Sequence, residues 1–130
     1  MARVLALVPD LLFGSRVQAA LQAAGHEVEL ISDAARLTER LEDPGARPAA
    51  VLVVDLTSED LDGAALVRSL SDAGELEGMR TLGFFSHVDT ETRERAQEAG
   101  FDMVVPRSRM AREGAELVTR LARQAPSTPG

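Results

Sequence analysis

The side chains in this chain that could do chemistry stand at the ends of apolar runs. Asp55 closes the apolar run 49–54, and Asp10, the pair Ser86–His87 and Arg107 follow shorter runs. A continuous apolar run is typical of a buried parallel strand, and open α/β sheets bind their ligands at the carboxyl ends of such strands. Carboxylates, an imidazole and a guanidinium gathered at that edge could hold a metal ion, a small molecule or one another.

Strands and helices alternate along the chain and would position these side chains. Apolar runs predict five strands, at 3–8, 28–31, 50–54, 82–85 and 103–105. Helical spacing of apolar residues, as at Phe13, Val17 and Leu21, predicts a helix after each strand. Short connections and right-handed crossovers then specify an α/β fold. We expect a doubly wound, flavodoxin-like, three-layer αβα structure with a five-stranded parallel sheet in the order 2-1-3-4-5.

Acids and glycines mark the ends of the predicted helices. Asp33 and Asp89 stand where N-caps are expected, and Gly25 and Gly100 stand where helices should stop. Asp10 has two interpretations that remain open. It could cap the first helix, or it could belong to the site at the sheet edge.

Composition narrows the function. We expect one domain over 1–124 and a disordered, proline-containing tail over 125–130. A net charge of −7 argues against binding nucleic acid, and the absence of cysteine excludes thiolate metal sites. No apolar run has membrane-spanning length and no signal peptide opens the chain, which predicts a cytoplasmic protein without a membrane partner. Enzyme motifs such as phosphate loops and nucleophile elbows are absent, so we predict no enzymatic activity.

The residues around Asp55 resemble a known family. The segment 55–63, ending in Asp-Gly, has the spacing of the loop that follows the phosphorylated aspartate in receiver domains of two-component response regulators. Ser86 matches the family's Ser/Thr, and Arg107 stands at the position of its lysine. The chain therefore resembles a bacterial, CheY-like receiver over nearly its whole length. The resemblance implies a signalling module with Asp55 at the phosphoacceptor position and Asp10, Ser86, His87 and Arg107 as switch or site residues.

The chain departs from the receiver pattern at several functional positions. Val8 and Pro9 occupy the places of the acid pair that holds magnesium, and Asp10 comes one residue too late. Val104 replaces the switch aromatic, and His87 replaces a small residue. Because magnesium requires octahedral oxygen ligands, Asp10 and Asp55 should hold it weakly if at all. No other cofactor is implied.

Three hypotheses follow. The leading one is a stand-alone pseudo-receiver that binds another protein, an unknown kinase or effector, and in which an Arg107–Asp55 ion pair fixes one conformation. The second is a functional receiver phosphorylated on Asp55 in a phosphorelay. The third is a metal or small-molecule site built from Asp10, Asp55, His87 and Arg107. The sequence leaves the oligomeric state open, a homodimer included.

Overall fold

The computed structural model of the protein describes residues 2–86 and 89–124, so His87 and the predicted tail 125–130 lie outside the described residues. One parallel sheet has the order β2-β1-β3-β4-β5. Its strands are β1 (Arg3–Leu7), β2 (Glu27–Ile31), β3 (Val51–Asp55), β4 (Arg80–Phe85) and β5 (Met103–Pro106). The helices are α1 (Leu11–Ala23), α2 (Ala34–Glu42), α3 (Gly63–Asp72), α4 (Thr90–Ala99) and α5 (Arg107–Arg123). The predicted fold class and strand order are confirmed.

Two hydrophobic cores lie on opposite faces of the sheet, because successive strand side chains point to opposite sides. On β3, Val51 and Val53 belong to the core under α1 and α5, whereas Leu52 and Val54 belong to the core under α2, α3 and α4. All five residues of β3 are buried. By the same alternation, Asp55 points to the face of the sheet that α1 and α5 cover.

The predicted capping residues act at the helix ends. The carboxylates of Asp33 and Asp89 accept backbone N–H groups at the starts of α2 and α4, and Asp10 does the same for α1. Gly25 and Gly100 follow α1 and α4 with φ of 92° and 96°, the left-handed region that favours glycine. Local sequence therefore sets where these helices begin and end.

Strand limits differ from the prediction where polar residues enter the sheet. Strand β4 begins at Arg80, two residues before the predicted start. The Asp102 carboxylate accepts the Thr81 N–H at 2.8 Å and pairs with Arg80 at 3.4 Å. An apolar pattern cannot detect this start, because the first two residues of β4 are polar. They enter the sheet because Asp102 forms a hydrogen bond with one and an ion pair with the other. Within the described residues, no helix is long and apolar enough to cross a membrane.

Candidate functional site

Strand register brings four of the predicted site residues to one edge of the sheet. Asp55 pairs with Phe84, and Phe85 pairs with Pro106. Ser86 and Arg107 therefore leave the sheet side by side, one and two strands away from Asp55 respectively. Asp10 follows β1, which lies on the other side of β3. The prediction that these four residues share the carboxyl edge is confirmed, whereas His87 lies outside the described residues.

Asp55 is buried at the end of β3, and Thr57 binds its carboxylate. Asp55 is 2% exposed. Its Oδ1 accepts the Thr57 backbone N–H at 2.7 Å and the Thr57 hydroxyl at 2.6 Å. This is a local turn in which an aspartate binds the backbone two residues ahead. Our sequence reasoning missed Thr57, although the spacing Asp-x-Thr is the signal that such a turn gives.

Asp10 uses both of its carboxylate oxygens. Its Oδ1 accepts the N–H groups of Leu12 and Phe13 at 3.0 and 3.2 Å, which caps α1. Its Oδ2 accepts a hydrogen bond from Arg107 Nη2 at 3.3 Å. Asp10 is therefore both an N-cap and a residue of the sheet edge, the two roles that the sequence left open.

The predicted ion pair between Arg107 and Asp55 is wrong. Arg107 pairs with Asp10 instead, and its guanidinium lies over the Phe13 ring, 4.2 Å from the ring centroid. Within 2–86 and 89–124, no arginine forms an ion pair with Asp55. The physical reason is that the exposed edge offers Arg107 a carboxylate and an aromatic face without removing the cation from water. Pairing with the buried Asp55 would require that desolvation.

The residues at this edge do not fit the magnesium ion that the fold implies. Val8 is fully buried in the core under α1 and α5, and Pro9 has no ligand atom in its side chain. Asp10 has both oxygens engaged by the α1 N-terminus and by Arg107. In the part of the chain that the structure describes, no three His, Cys, Asp or Glu side chains form a metal-sized group. Asp55 would thus have to supply a site almost alone, which magnesium disfavours.

Asp62, at the end of the loop that follows Asp55, connects that loop to α4. Its Oδ1 caps α3 by accepting the Ala65 N–H at 3.0 Å, and Arg95 Nη2 of α4 binds both carboxylate oxygens at 3.0 and 2.8 Å. The hydrogen bond from Arg95 lowers the pKa of Asp62 below its usual value, and the bond from Ala65 adds to this effect. The Asp-Gly end of the loop is therefore a cap and an inter-helix contact. The sequence showed only the spacing of this Asp-Gly end and did not predict these contacts.

Ser86 and Val104 lie near the site, but the side chains of these two residues make no polar contact with Asp55, Asp10 or Arg107. Ser86 is exposed, and its carbonyl accepts the Asp89 N–H at 3.0 Å just before α4. Val104 pairs in register with Gly83 and packs against the core under α2, α3 and α4. The aromatic ring expected at position 104 in a receiver is thus replaced by a small, partly buried apolar side chain.

Comparison with known proteins identifies the fold. No family model and no curated protein matches the chain. The solved structure of FixJ-N is similar at a TM-score of 0.82, with 20% identity over 98% of both chains. The phosphorylated cyanobacterial phytochrome response regulator RcpA also matches at 0.82, with 12% identity over 98% of this chain and 99% of that one. The Mn(2+)-bound response regulator Rcp1 matches at 0.79, with 13% identity over the whole of both chains. At such identities the likeness shows a shared fold, that of response regulator receiver domains.

Replacing Arg107 should destabilise the fold only slightly. We expect Arg107→Ala to cost less than about 1 kcal/mol, because the Arg107–Asp10 pair is solvent-exposed and the contact with Phe13 lies at the surface. Urea melts measure the change. Arg109→Ala is the matched control, since Arg109 forms another surface pair on α5, with Glu113 at 3.3 Å. A loss of about 3–5 kcal/mol for Arg107 alone would instead indicate a buried partner and would contradict this assignment.

Proposed function

We propose that this chain is a receiver-like signalling module that acts by binding another protein, and that it is a pseudo-receiver. The observation that carries the proposal is the environment of Asp55. Its buried carboxylate is bound by Thr57, and the positions around it do not fit a metal. The shared fold with response regulator receiver domains supports a signalling role rather than an enzymatic one.

Phosphoryl transfer to an aspartate places extra negative charge beside one that is already present. Catalysis of such transfers depends on cations that neutralise this charge and on exact positioning of the nucleophile. Here the nearest predicted cation, Arg107, binds Asp10 and Phe13. Thr57 donates two hydrogen bonds to Oδ1 of Asp55 and so engages the lone pairs of that oxygen. These contacts indicate that the Asp55 carboxylate holds the loop after β3 in place, and they disfavour its use as a nucleophile in phosphoryl transfer.

One observation favours the alternative of a functional receiver. The hydrogen bonds to Asp55 from described residues reach only Oδ1, so Oδ2 keeps its lone pairs. The phosphorylated form of RcpA shows that the shared fold can be phosphorylated in another protein. The metal or small-molecule site has no comparable support, because the described residues of that proposed set are already paired or separated and His87 lies outside them.

Exposure of the wild-type protein to radiolabelled acetyl phosphate and magnesium should give no aspartyl phosphate. The physical reason is the missing charge neutralisation at Val8 and Pro9. RcpA, treated in parallel, is the positive control, and intact mass spectrometry gives the stoichiometry. Base-labile label on the wild type that disappears in Asp55→Asn would reject the pseudo-receiver and establish the second hypothesis.

The surface beside the site supports binding to a protein. Leu11 and Leu12, in the first turn of α1, are 67% and 80% exposed. A groove of about 170 Å³ lies between α1 and α5, with Phe13 and Met110 in its lining. Helix α1 contains no acid, and its one charged residue, Arg16, lies at this groove. On a chain with a net charge of −7, this is an apolar surface with one arginine at its edge. It therefore fits an amphipathic helix of a partner protein that carries acidic side chains beside leucines.

A designed acidic helix should bind this surface. The probe is a synthetic 15-residue peptide with leucines along one face and glutamates beside them, followed by amide chemical shifts of the ¹⁵N-labelled protein. We expect shifts confined to α1 and the first half of α5, because among the described residues only that face combines large exposed leucines with an arginine that forms no ion pair. The double variant Leu11→Ser, Leu12→Ser should lose them. Equal binding of the same peptide with lysines in place of glutamates, or shifts centred elsewhere, would contradict the assignment.

A further inference from the structure

His26 is a buried histidine at the amino edge of the sheet, opposite to the site described above. It lies immediately before β2 and is 6% exposed. Its Nδ1 accepts the Ala2 backbone N–H at 3.1 Å, and its Nε2 lies 2.9 Å from the Thr119 hydroxyl of α5. The ring of His26, which precedes β2, thus connects Ala2 before β1 with Thr119 on α5. We call these contacts the His26 bridge.

The hydrogen bonds of Thr119 determine the proton on the ring. The Thr119 hydroxyl donates its single hydrogen to the Ala115 carbonyl at 2.8 Å, so its oxygen can only accept from His26. The Nε2 atom of His26 therefore carries the hydrogen, and Nδ1 is the acceptor for Ala2. This arrangement requires a neutral imidazole. A second proton, on Nδ1, would face the N–H of Ala2, and both groups would then be donors.

We propose that the His26 bridge is an acid-sensitive contact. It holds α5 against the amino edge of the sheet while the imidazole is neutral and weakens when the imidazole is protonated. Protonation removes the acceptor for Ala2 and places a charge at a buried position. The contacts that would loosen are those of Ala2, just before β1, and of α5 around Thr119. Because α5 also begins at Arg107, the loosened helix is the one that borders both the candidate site and the apolar surface at α1.

Among the described residues, no carboxylate forms an ion pair or a hydrogen bond with His26. On the strands, Arg3 and Glu27 pair with each other at 2.9 Å. The end of α1 carries no charged residue, and α5 presents Glu116, Arg120 and Arg123 within one turn of Thr119. Burial lowers the pKa of His26 below its ordinary value of 6.5.

The sign of the pH effect follows from that direction. As the pH falls, the unfolded chain takes up the proton before the folded protein does. The free energy of unfolding then decreases with falling pH. The stabilisation from the bridge is complete above pH 6.5 and is lost progressively below it. Groups with ordinary carboxylate pKa values begin to titrate at lower pH, which separates their effect from that of the histidine.

The test measures the protonation of the His26 ring and, separately, the amide exchange of α5. Ring ¹⁵N shifts of the wild type should show the Nε2–H form at neutral pH and a pKa below 6.5. Amide exchange in α5, corrected for its intrinsic pH dependence, should show a loss of protection between pH 7 and pH 5. The non-titrating variant His26→Asn should abolish this pH-dependent loss. The only other histidine provides the matched control, and His87→Gln should retain the loss.

Two outcomes would overturn the proposal. One is a wild-type His26 that titrates at or above pH 6.5 or carries its hydrogen on Nδ1. The other is protection in α5 that falls equally in wild type and His26→Asn. If His26→Asn does not fold, Thr119→Val keeps the histidine and removes its partner on α5. That variant should retain less protection in α5 than the wild type at neutral pH, and unchanged protection there would also count against the bridge.

Discussion

The hydrogen bonds between Thr57 and Asp55 are the interactions on which the candidate site depends. A carboxylate at a buried strand end needs donors, because burying an unpaired acid costs several kcal/mol. Thr57 supplies two donors from the next turn of the chain, so no cation has to be brought to the acid. Arg107 is therefore available to Asp10 and Phe13 at the surface. The carboxyl edge of the sheet consequently contains two separate polar groups instead of one connected charge cluster.

This separation fits a module that presents a surface. Asp10 holds the start of α1 and at the same time anchors Arg107 at the start of α5. The two helices meet through Phe13, which packs on Phe84 of β4 with ring centroids 5.1 Å apart. The exposed leucines at the start of α1 thus lie between a capped helix end and a packed aromatic side chain. Contacts that order a surface before binding favour binding, since less conformational freedom is then lost when a partner arrives.

Local patterns predicted much of this structure and failed where contacts depend on tertiary geometry. The apolar runs located all five strands because parallel strands are buried on both faces. Asp33, Asp89 and Gly100 marked helix ends because capping is decided within a few residues. Arg107 was misassigned because an aligned position does not fix where a long, flexible side chain goes. The environment of His26 could not be predicted, since its partner Thr119 lies 93 residues away along the chain.

A double-mutant cycle between Asp55 and Thr57 tests the central claim most directly. Asp55→Ala, Thr57→Val and the double variant, compared with the wild type in urea melts, give the coupling free energy. We expect about 1–3 kcal/mol for this pair, the range for a hydroxyl that serves a buried polar group, and a coupling near zero for the matched cycle of Asp55 with Arg107. A coupling near zero for Asp55 with Thr57, together with a large one for Asp55 with Arg107, would contradict the account.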